Sequence, residues 1–408
     1  MFNLHLSAEQ LEIRDTVRDF VTGEVKPVTL KSDRLDSCDR SLPLDVLDKA
    51  SQMGLRTLSV SEDNGGAGAD TLTSVIVAEE LATGDADVAA TLTETARLGH
   101  AVFDTLMNDE QRERFLNAFL EDDRFHLALA EREPDAEIEL GINYHRPQGG
   151  PSPLKTTAVR SGNHEWVING AKTCVANGPV AKLFAVQVAT DPASGRNGVS
   201  TILVPRDTPG LTIREANGGL AWHHGTSAEL VFEDCRVPAE NLLGAEGAGH
   251  GRIERDGPQF PAMNLGIGRA AYEAALDYAQ IRTQGGRLIV EHQAIGSKLA
   301  DIAVRLEVAR HTIWYVAWAA DHPEAVADRS ISALPLKDIA RIFTSEAVHE
   351  IAKDSAEVFG AMGVMRDMPL QKYVGDALIF LHSGSGTSDA RLRVAESLVG
   401  FQRPAGNA

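Results

Sequence analysis

Arg282-Thr283-Gln284-Gly285-Gly286-Arg287-Leu288-Ile289-Val290-Glu291-His292-Gln293-Ala294-Ile295 closes one apolar helix pattern and opens another. Upstream, helix begins near Ala262. Downstream, Ile295, Leu299, Ile302, Leu306, Ala309, Ile313 and Val316 follow spacings of four and three, the seam of a helix bundle. Asp321-His322-Pro323 breaks that helix. A further helix is predicted over 335–358, then a glycine-rich turn and two shorter helices.

Towards the N-terminus the character changes. The runs 156–159, 165–168, 183–188, 201–204, 211–214 and 228–232 are short, β-rich and partly alternating. Ser161-Gly162-Asn163, Asn169-Gly170 and Asn177-Gly178 read as turns between them. Residues 134–153, rich in Pro, Gly and charge, read as a long loop. Further back, Ser7 and Gln10 form a capping-box pattern, and Leu11, Val17, Phe20 and Val21 share a helical face. A second helix is predicted over 43–53, before Gly54, and Asn64-Gly65-Gly66-Ala67-Gly68 is a break. Helices are predicted over about 70–83, 87–106 and 109–121, the last started by Asn108-Asp109. The class is α+β: an N-terminal helical domain (1–124), a middle antiparallel β domain (125–245) and a C-terminal four-helix bundle (246–408).

The chain of 408 residues has 43% hydrophobic and 24% charged residues, ordinary for a globular protein. Its net charge of −19 disfavours nucleic acid and anionic membranes, while leaving room for a local basic phosphate pocket. Cys38, Cys174 and Cys235 are odd in number and far apart, which suggests neither a disulfide framework nor a metal cluster. A reducing cytoplasm fits best. Residues 4–20 carry frequent charges and read as neither signal peptide nor membrane span. No run of roughly 18 apolar residues occurs.

The opening stretch resembles the Arg-x-Gln-Phe-Gly…Glu-His-Gln segment of acyl-CoA dehydrogenases. Leu6-Ser7-Ala8-Glu9-Gln10, Met53-Gly54-Leu55, Asn64-Gly65-Gly66-Ala67-Gly68 and Ala78-Glu79-Glu80-Leu81 resemble that family's N-terminal helices. Glu229-Leu230-Val231-Phe232-Glu233-Asp234 and Arg236-Val237-Pro238-Ala239-Glu240-Asn241-Leu242-Leu243-Gly244 resemble the end of its β domain. Taken in order, these segments are specific, and they cover nearly the whole chain. The resemblance implies the three-part fold, FAD between β domain and bundle, and a homotetramer or homodimer. It also implies removal of an α proton from an acyl-CoA or acyl-carrier thioester by a carboxylate, with hydride leaving the β carbon for the flavin. Such a base benefits from burial, which raises a carboxylate's pKa. Electron-transfer flavoprotein and oxygen are both open as the electron acceptor.

The resemblance places flavin contacts residue by residue. Arg282 and Gln284 stand where the family reaches the diphosphate, and a guanidinium suits two phosphate oxygens. The family's Phe is here Gly285. Lys172-Thr173-Cys174-Val175-Ala176-Asn177-Gly178 stands for Lys-x-Trp-Ile-Thr/Ser-Asn-Gly, so Cys174 and Ala176 replace the Trp and the hydroxyl beside the flavin ring. Ala128-Leu129-Ala130-Glu131-Arg132-Glu133-Pro134 stands for Ala-x-Thr-Glu-Pro, with Ala130 or Arg132 at the Thr. Ser355-Ala356-Glu357-Val358-Phe359-Gly360-Ala361-Met362-Gly363 stands for Gln-x-x-Gly-Gly-x-Gly, a turn implied to reach the neighbouring subunit's cofactor through Glu357 and Gly360. Asp376-Ala377 and Ser385-Gly386-Thr387 stand for Asp-Ala…Glu-Gly-Thr. The family's usual catalytic Glu therefore falls on Ser385, Thr387 keeps the Thr, and Asp389 takes a later Gln.

A minority of the family carries its base at the start of the first bundle helix, which here falls on Asp256, with Glu254 and Glu94 as alternatives. The bland readings are an exposed charged turn at 254–258, a solvated helix end at Arg282 and a helix-terminal glycine turn at Gly360. Gly266-Ile267-Gly268-Arg269 follows no strand and reads as helix packing rather than a dinucleotide fingerprint. His223-His224 lacks metal-ligand spacing, and His382 near Ser385 lacks an orienting acid. Three functions compete: an FAD-dependent dehydrogenase with a relocated base, a flavoprotein of the same fold performing elimination or oxygen-dependent oxidation, and a non-catalytic subunit of a heteromer.

Overall fold

Ser7 starts the first helix. Its hydroxyl accepts from the Gln10 amide N–H, and the Gln10 side chain accepts from Ser7 N–H, a complete capping box. The computed structural model describes residues 5–31, 35, 41–134, 154–215, 227–249, 253, 257–382 and 386–400. α1 (Ala8–Phe20) continues through a wide-turn segment, Val21–Val25, into α2 (Lys26–Thr29). Val17, Phe20 and Val21 are buried as their periodicity predicts, whereas Leu11 is 37% exposed and lies off that face. α3 (Leu44–Gln52) ends before Gly54, whose φ of 81° only glycine adopts readily. Asp70, Asp85 and Asn108 cap α4 (Thr71–Ala82), α5 (Ala86–Gly99) and α6 (Asp109–Glu121). α5 runs on into a wide-turn segment, His100–Leu106, which completes the helix predicted over 87–106. α4 is buried on every side because it lies between α1, α5, α7 and α8, the last two defined below.

Among the described residues, eight strands then form one sheet: β1 (His126–Ala130), β2 (Thr157–Ser161), β3 (Glu165–Ala176), β4 (Ala181–Ala189), β5 (Val199–Pro205), β6 (Leu211–Glu215), β7 (Ser227–Pro238) and β8 (Leu242–Leu243). The order is β6-β7-β3-β2-β4-β5-β8, with β1 on β4. Two expectations need correction. The domain is not purely antiparallel: β1 runs parallel to β4, and Thr157 of β2 meets Ala189 of β4 in a parallel bridge. β1 is buried at every position, so it lacks the alternation that marks a half-exposed strand. Asn169-Gly170 is not a turn but a bulge within β3 opposite β7. Gly170 sits at φ 136°, and a Cβ there would lie 2.6 Å from the Thr156 Cα. Ser161-Gly162-Asn163 and Asn177-Gly178 are turns as read. The loop expected over 134–153 lies, beyond its first residue, outside the described residues, as do His223-His224.

Helix resumes with α7 (Gln259–Ile281). A two-strand hairpin, β9 (Thr283–Gln284) and β10 (Arg287–Leu288), separates it from α8 (Gln293–Asp321). α9 (Pro323–Ala327), α10 (Leu336–Phe359), α11 (Leu370–His382) and α12 (Gly386–Val399) complete the chain. Leu299, Ile302, Leu306, Ala309, Ile313 and Val316 are buried, the seam that their spacing predicts. α7 is the spine, packed on α4, α8, α10 and α11. Gly266 makes its contact with α4 possible: a Cβ there would lie 2.3 Å from the Glu79 carbonyl oxygen. The glycine pattern at 266–268 is therefore helix packing. One apolar core joins the N-terminal helices to this bundle, a second lies within the sheet, and a third fills the space between α5, α6 and the sheet. Each fully buried Phe of the third, Phe103 and Phe119, contributes roughly 1.5–3 kcal/mol.

Candidate active site

The hairpin after α7 carries the two foremost cofactor candidates. Gly285 and Gly286 form its turn, both at positive φ (64° and 82°), the pairing that a tight two-residue hairpin demands. His292 braces it: its Nε2 lies 3.0 Å from the Gln284 carbonyl oxygen and its Nδ1 3.2 Å from an Arg287 guanidinium nitrogen. Nε2–H therefore donates to Gln284, and Nδ1 accepts from Arg287. Arg282 and Gln284 are exposed, and no hydrogen bond or ion pair among the described residues engages either side chain. A guanidinium and an amide held two residues apart on a braced hairpin suit the oxygens of a diphosphate. The residues present fit that part of FAD. The bracing role of His292 escaped the sequence reading, although Gly285-Gly286 signals a hairpin.

The turn after α10 lies at the same end of the bundle. Tyr278 of α7 stacks on Phe359 of α10 with centroids 4.2 Å apart, which brings the residues after both helices near one another. Gly360 takes φ 59° as the helix stops. Glu357 is exposed, and its carboxylate pairs with Lys298 of α8 at 2.6 Å rather than with Arg282. Lys298 also donates to Asp354 at 2.8 Å, and its hydrogen bonds to these two carboxylates raise its pKa. A cation therefore offsets the acid that this chain has in place of Gln.

A second group gathers on the sheet. Ala130 ends β1, fully buried, and the Arg132 carbonyl just beyond it accepts from Thr173 N–H at 2.9 Å. The next residue, Glu133, accepts from Lys155 N–H, Thr156 N–H and the buried Lys172 ammonium, at 2.7–2.9 Å. Burial alone would raise Glu133, but the Lys172 charge and the two backbone donors outweigh it and hold it below the usual carboxylate range. This clamp ends in a break of the β3–β7 ladder between Lys172 and Val175, where Cys174 adopts φ 51°. A non-glycine residue in that region stores strain, and such strain gathers at functional positions. Cys174 and Ala176 both face outwards, exposed. Asn177, also left-handed at φ 60°, donates to the Thr91 carbonyl, the Thr95 hydroxyl and the Leu127 carbonyl. Lys172 and Asn177 thus hold this strand end against β1 and α5.

A third group lies at the start of α12. Thr387 is half-buried in its first turn, and the buried Asp389 pairs with Arg393, which also binds Asp338 near the start of α10. Nineteen helical residues separate Asp338 from Glu357 along α10, roughly 30 Å. A single chain therefore keeps the Asp389 group and the hairpin group apart.

Of the base candidates, Asp256, Glu254 and the replacement position Ser385 lie outside the described residues. Glu94 sits half-buried on α5 with both oxygens engaged by Arg97, at 2.8 and 3.0 Å. Close by, a narrow cavity of about 10 Å³ opens between α4, α5, residues 55–59 and the first turn of α7. Leu55, Leu58, Val77, Leu81, Leu92 and Ala96 form its apolar wall, with Ser59, Ser74, Thr93 and Gln259 among them.

Comparisons with known proteins agree along the chain. The acyl-CoA dehydrogenase N-terminal domain family matches residues 7–123, the middle domain family 147–235 and the C-terminal domain family 256–398. The chain is similar to an acyl-CoA dehydrogenase of Bacillus subtilis (strain 168), 31% identical over 97% of this chain and 100% of that protein. It is similar to the mitochondrial short-chain specific acyl-CoA dehydrogenase of Rattus norvegicus, 30% identical over 95% of this chain and 89% of that one. Its structure resembles butyryl-CoA dehydrogenase from Megasphaera elsdenii, with a TM-score of 0.84, 26% identity and coverage of 98% and 100%. With each third matched in chain order and a full-length relative above 30% identity, this chain belongs to the acyl-CoA dehydrogenase family of FAD-dependent oxidoreductases.

Proposed function

We propose that the chain dehydrogenates an acyl-CoA or acyl-carrier thioester between its α and β carbons, with Asp256 as the base. The uncommitted Arg282 and Gln284 on their braced hairpin carry this reading, because they are the donors that a diphosphate cofactor requires. Bound FAD would supply the two-electron acceptor for the hydride from the β carbon. Arg282, Gln284 and the Gly360 turn would hold its diphosphate end, and Cys174, Ala176 and Ala130 would lie beside its ring. The acyl group would lie against the apolar wall of the narrow cavity beside α7. Asp256, three residues before Gln259, takes the α proton onto its carboxylate as the C–H bond breaks. Glu94 is the weaker candidate because Arg97 holds both its oxygens.

The roughly 30 Å along α10 between Asp338, tied to the Asp389 group, and Glu357 supports a site completed by a second copy, and hence a homotetramer or homodimer. Val304 and Val308, 62% and 46% exposed and one turn apart on α8, are apolar surface that such a neighbour would cover. No helix among the described residues is long and apolar enough to cross a membrane. A cytoplasmic location, with electron-transfer flavoprotein or oxygen as acceptor, completes the reading.

Anaerobic bleaching of the flavin by a panel of acyl-CoA esters tests it. Asp256→Asn is expected to slow bleaching about 10²–10⁴-fold while FAD stays bound. An unchanged rate in Asp256→Asn, with the loss appearing in Glu254→Gln or Glu94→Gln, would move the base. No bleaching by any thioester would overturn the dehydrogenase and favour different flavin chemistry or a non-catalytic subunit.

A further inference from the structure

Arg97 is a charged residue of α5 to which the proposed reaction gives no task. Its guanidinium holds both oxygens of Glu94 at 2.8 and 3.0 Å, and the two side chains are only 13% and 22% exposed. An ion pair so far out of water loses in desolvation much of what it gains in attraction, so stability alone gives little reason for one here. Nor is Arg97 a cation at a helix end. α5 runs on into His100–Leu106, and the His100 N–H bonds to the Ala96 and Arg97 carbonyls. Its place is more informative. A Cβ at Gly257 would lie 3.9 Å from Arg97 Cδ, so the Arg97 side chain lies against the chain just before α7. Gly257 directly follows Asp256, and consecutive Cα atoms are about 3.8 Å apart. The guanidinium extends beyond Cδ, and a carboxylate at 256 falls within its reach. From α10, Arg341 places its guanidinium 4.9 Å over Phe260 in the first turn of α7. From α11, Phe380 packs on Phe260 with centroids 4.5 Å apart, and His382 follows two residues on.

We propose that Arg97 is a positioning residue for the base: its charge keeps the Asp256 carboxylate ionised and aimed, and Glu94 moderates that charge. The inference rests on the reading of Asp256 as the base. An opposite charge within about 4–6 Å lowers a carboxylate's pKa by roughly 1–3, and a like charge raises it. Arg97 and Glu94 therefore act on the base in opposite directions, and together they set the lowest pH at which it works.

The pH profile of anaerobic flavin reduction tests this on the FAD-loaded enzyme, with butyryl-, hexanoyl- and octanoyl-CoA compared first and the fastest carried forward. The rate falls at low pH as the base takes up a proton. Arg97→Gln is expected to move this acid limb up by about one pH unit, and Arg97→Lys to bring it back. Glu94→Gln is expected to move it down. An Arg97 that serves only the fold would lower the whole profile or the melting temperature and leave the limb in place. That result, or a limb that moves only in Arg341→Gln, would overturn the inference and leave Asp256 as the base. If Arg97→Gln does not fold, the direction of the limb in Glu94→Gln decides. An undiminished rate in Asp256→Asn, or no reduction by any ester, would overturn the reading of the base and this inference with it.

Discussion

Arg269 lies within α7 and Arg282 just past its end, and the two have opposite fates. Arg269, in the middle of α7, binds Glu79 at 2.8 Å and Glu80 at 2.5 Å, with Glu273 one turn on at 3.4 Å. Arg18 and Arg310 close the same carboxylates from the other side, and Glu79 and Glu80 are almost fully buried. Burial would lower the Arg269 pKa, but these carboxylates outweigh it and raise it. Arg282, at the end of the helix, is exposed and has no such partner among the described residues. Where the interior surrounds a charged group with opposite charges, that group holds elements together. Where a braced turn presents donors that nothing internal meets, they are available to a ligand. The segment Ala78-Glu79-Glu80-Leu81 thus serves architecture, and the hairpin is left for the binding role proposed for it.

Breaking the interior side of this contrast should have the largest effect. Arg269→Ala leaves two buried carboxylates without their main partner, and we expect a loss of about 3–5 kcal/mol in chemical denaturation. A loss below 1 kcal/mol would show that Arg18 and Arg310 suffice, and the contrast would weaken.

The joint between α5 and the sheet sharpens it at a titratable group. His126 is buried, with Nδ1 3.0 Å from the Thr95 hydroxyl, and burial pushes its pKa from 6.5 down to about 4. The unfolded chain takes up this proton near pH 6.5 and the folded one only near 4. His126 thus favours the fold fully above pH 6.5, and this contribution is lost as pH falls, by roughly 3 kcal/mol at pH 4. The carboxylates held low by their partners, Glu80, Asp104 and Glu133, keep their stabilisation above about pH 4.3 and lose it below. A decline that already starts at pH 6.5 in the wild type and is absent in His126→Phe identifies the histidine. The same decline in both would assign it elsewhere.

The helices were legible because their signals are local. Ser7 with Gln10 caps as read, Asn108 starts its helix as read, and the α8 seam is buried where its spacing puts it. The parallel strand β1 was not, because full burial removes alternation and strand direction leaves no mark in a short run. Asn169-Gly170 misled because the same dipeptide serves a turn or a bulge, and only packing against Thr156 decides. At the site, Arg282 and Gln284 stand out in the sequence as candidates through their motif, whereas the His292 brace and the Lys298 partner of Glu357 depend on tertiary neighbours. Lys172 and Asn177 likewise show as a motif in sequence and as clamps only in space.

Titration of the apoprotein with FAD, followed by flavin absorbance, tests the account most directly through Arg282→Leu. Loss of a charge-assisted contact should weaken FAD by roughly ten- to a hundredfold, while the melting temperature of the apoprotein stays as in the wild type. An unchanged FAD affinity, or a variant that loses stability instead, would contradict the assignment of this hairpin to the cofactor.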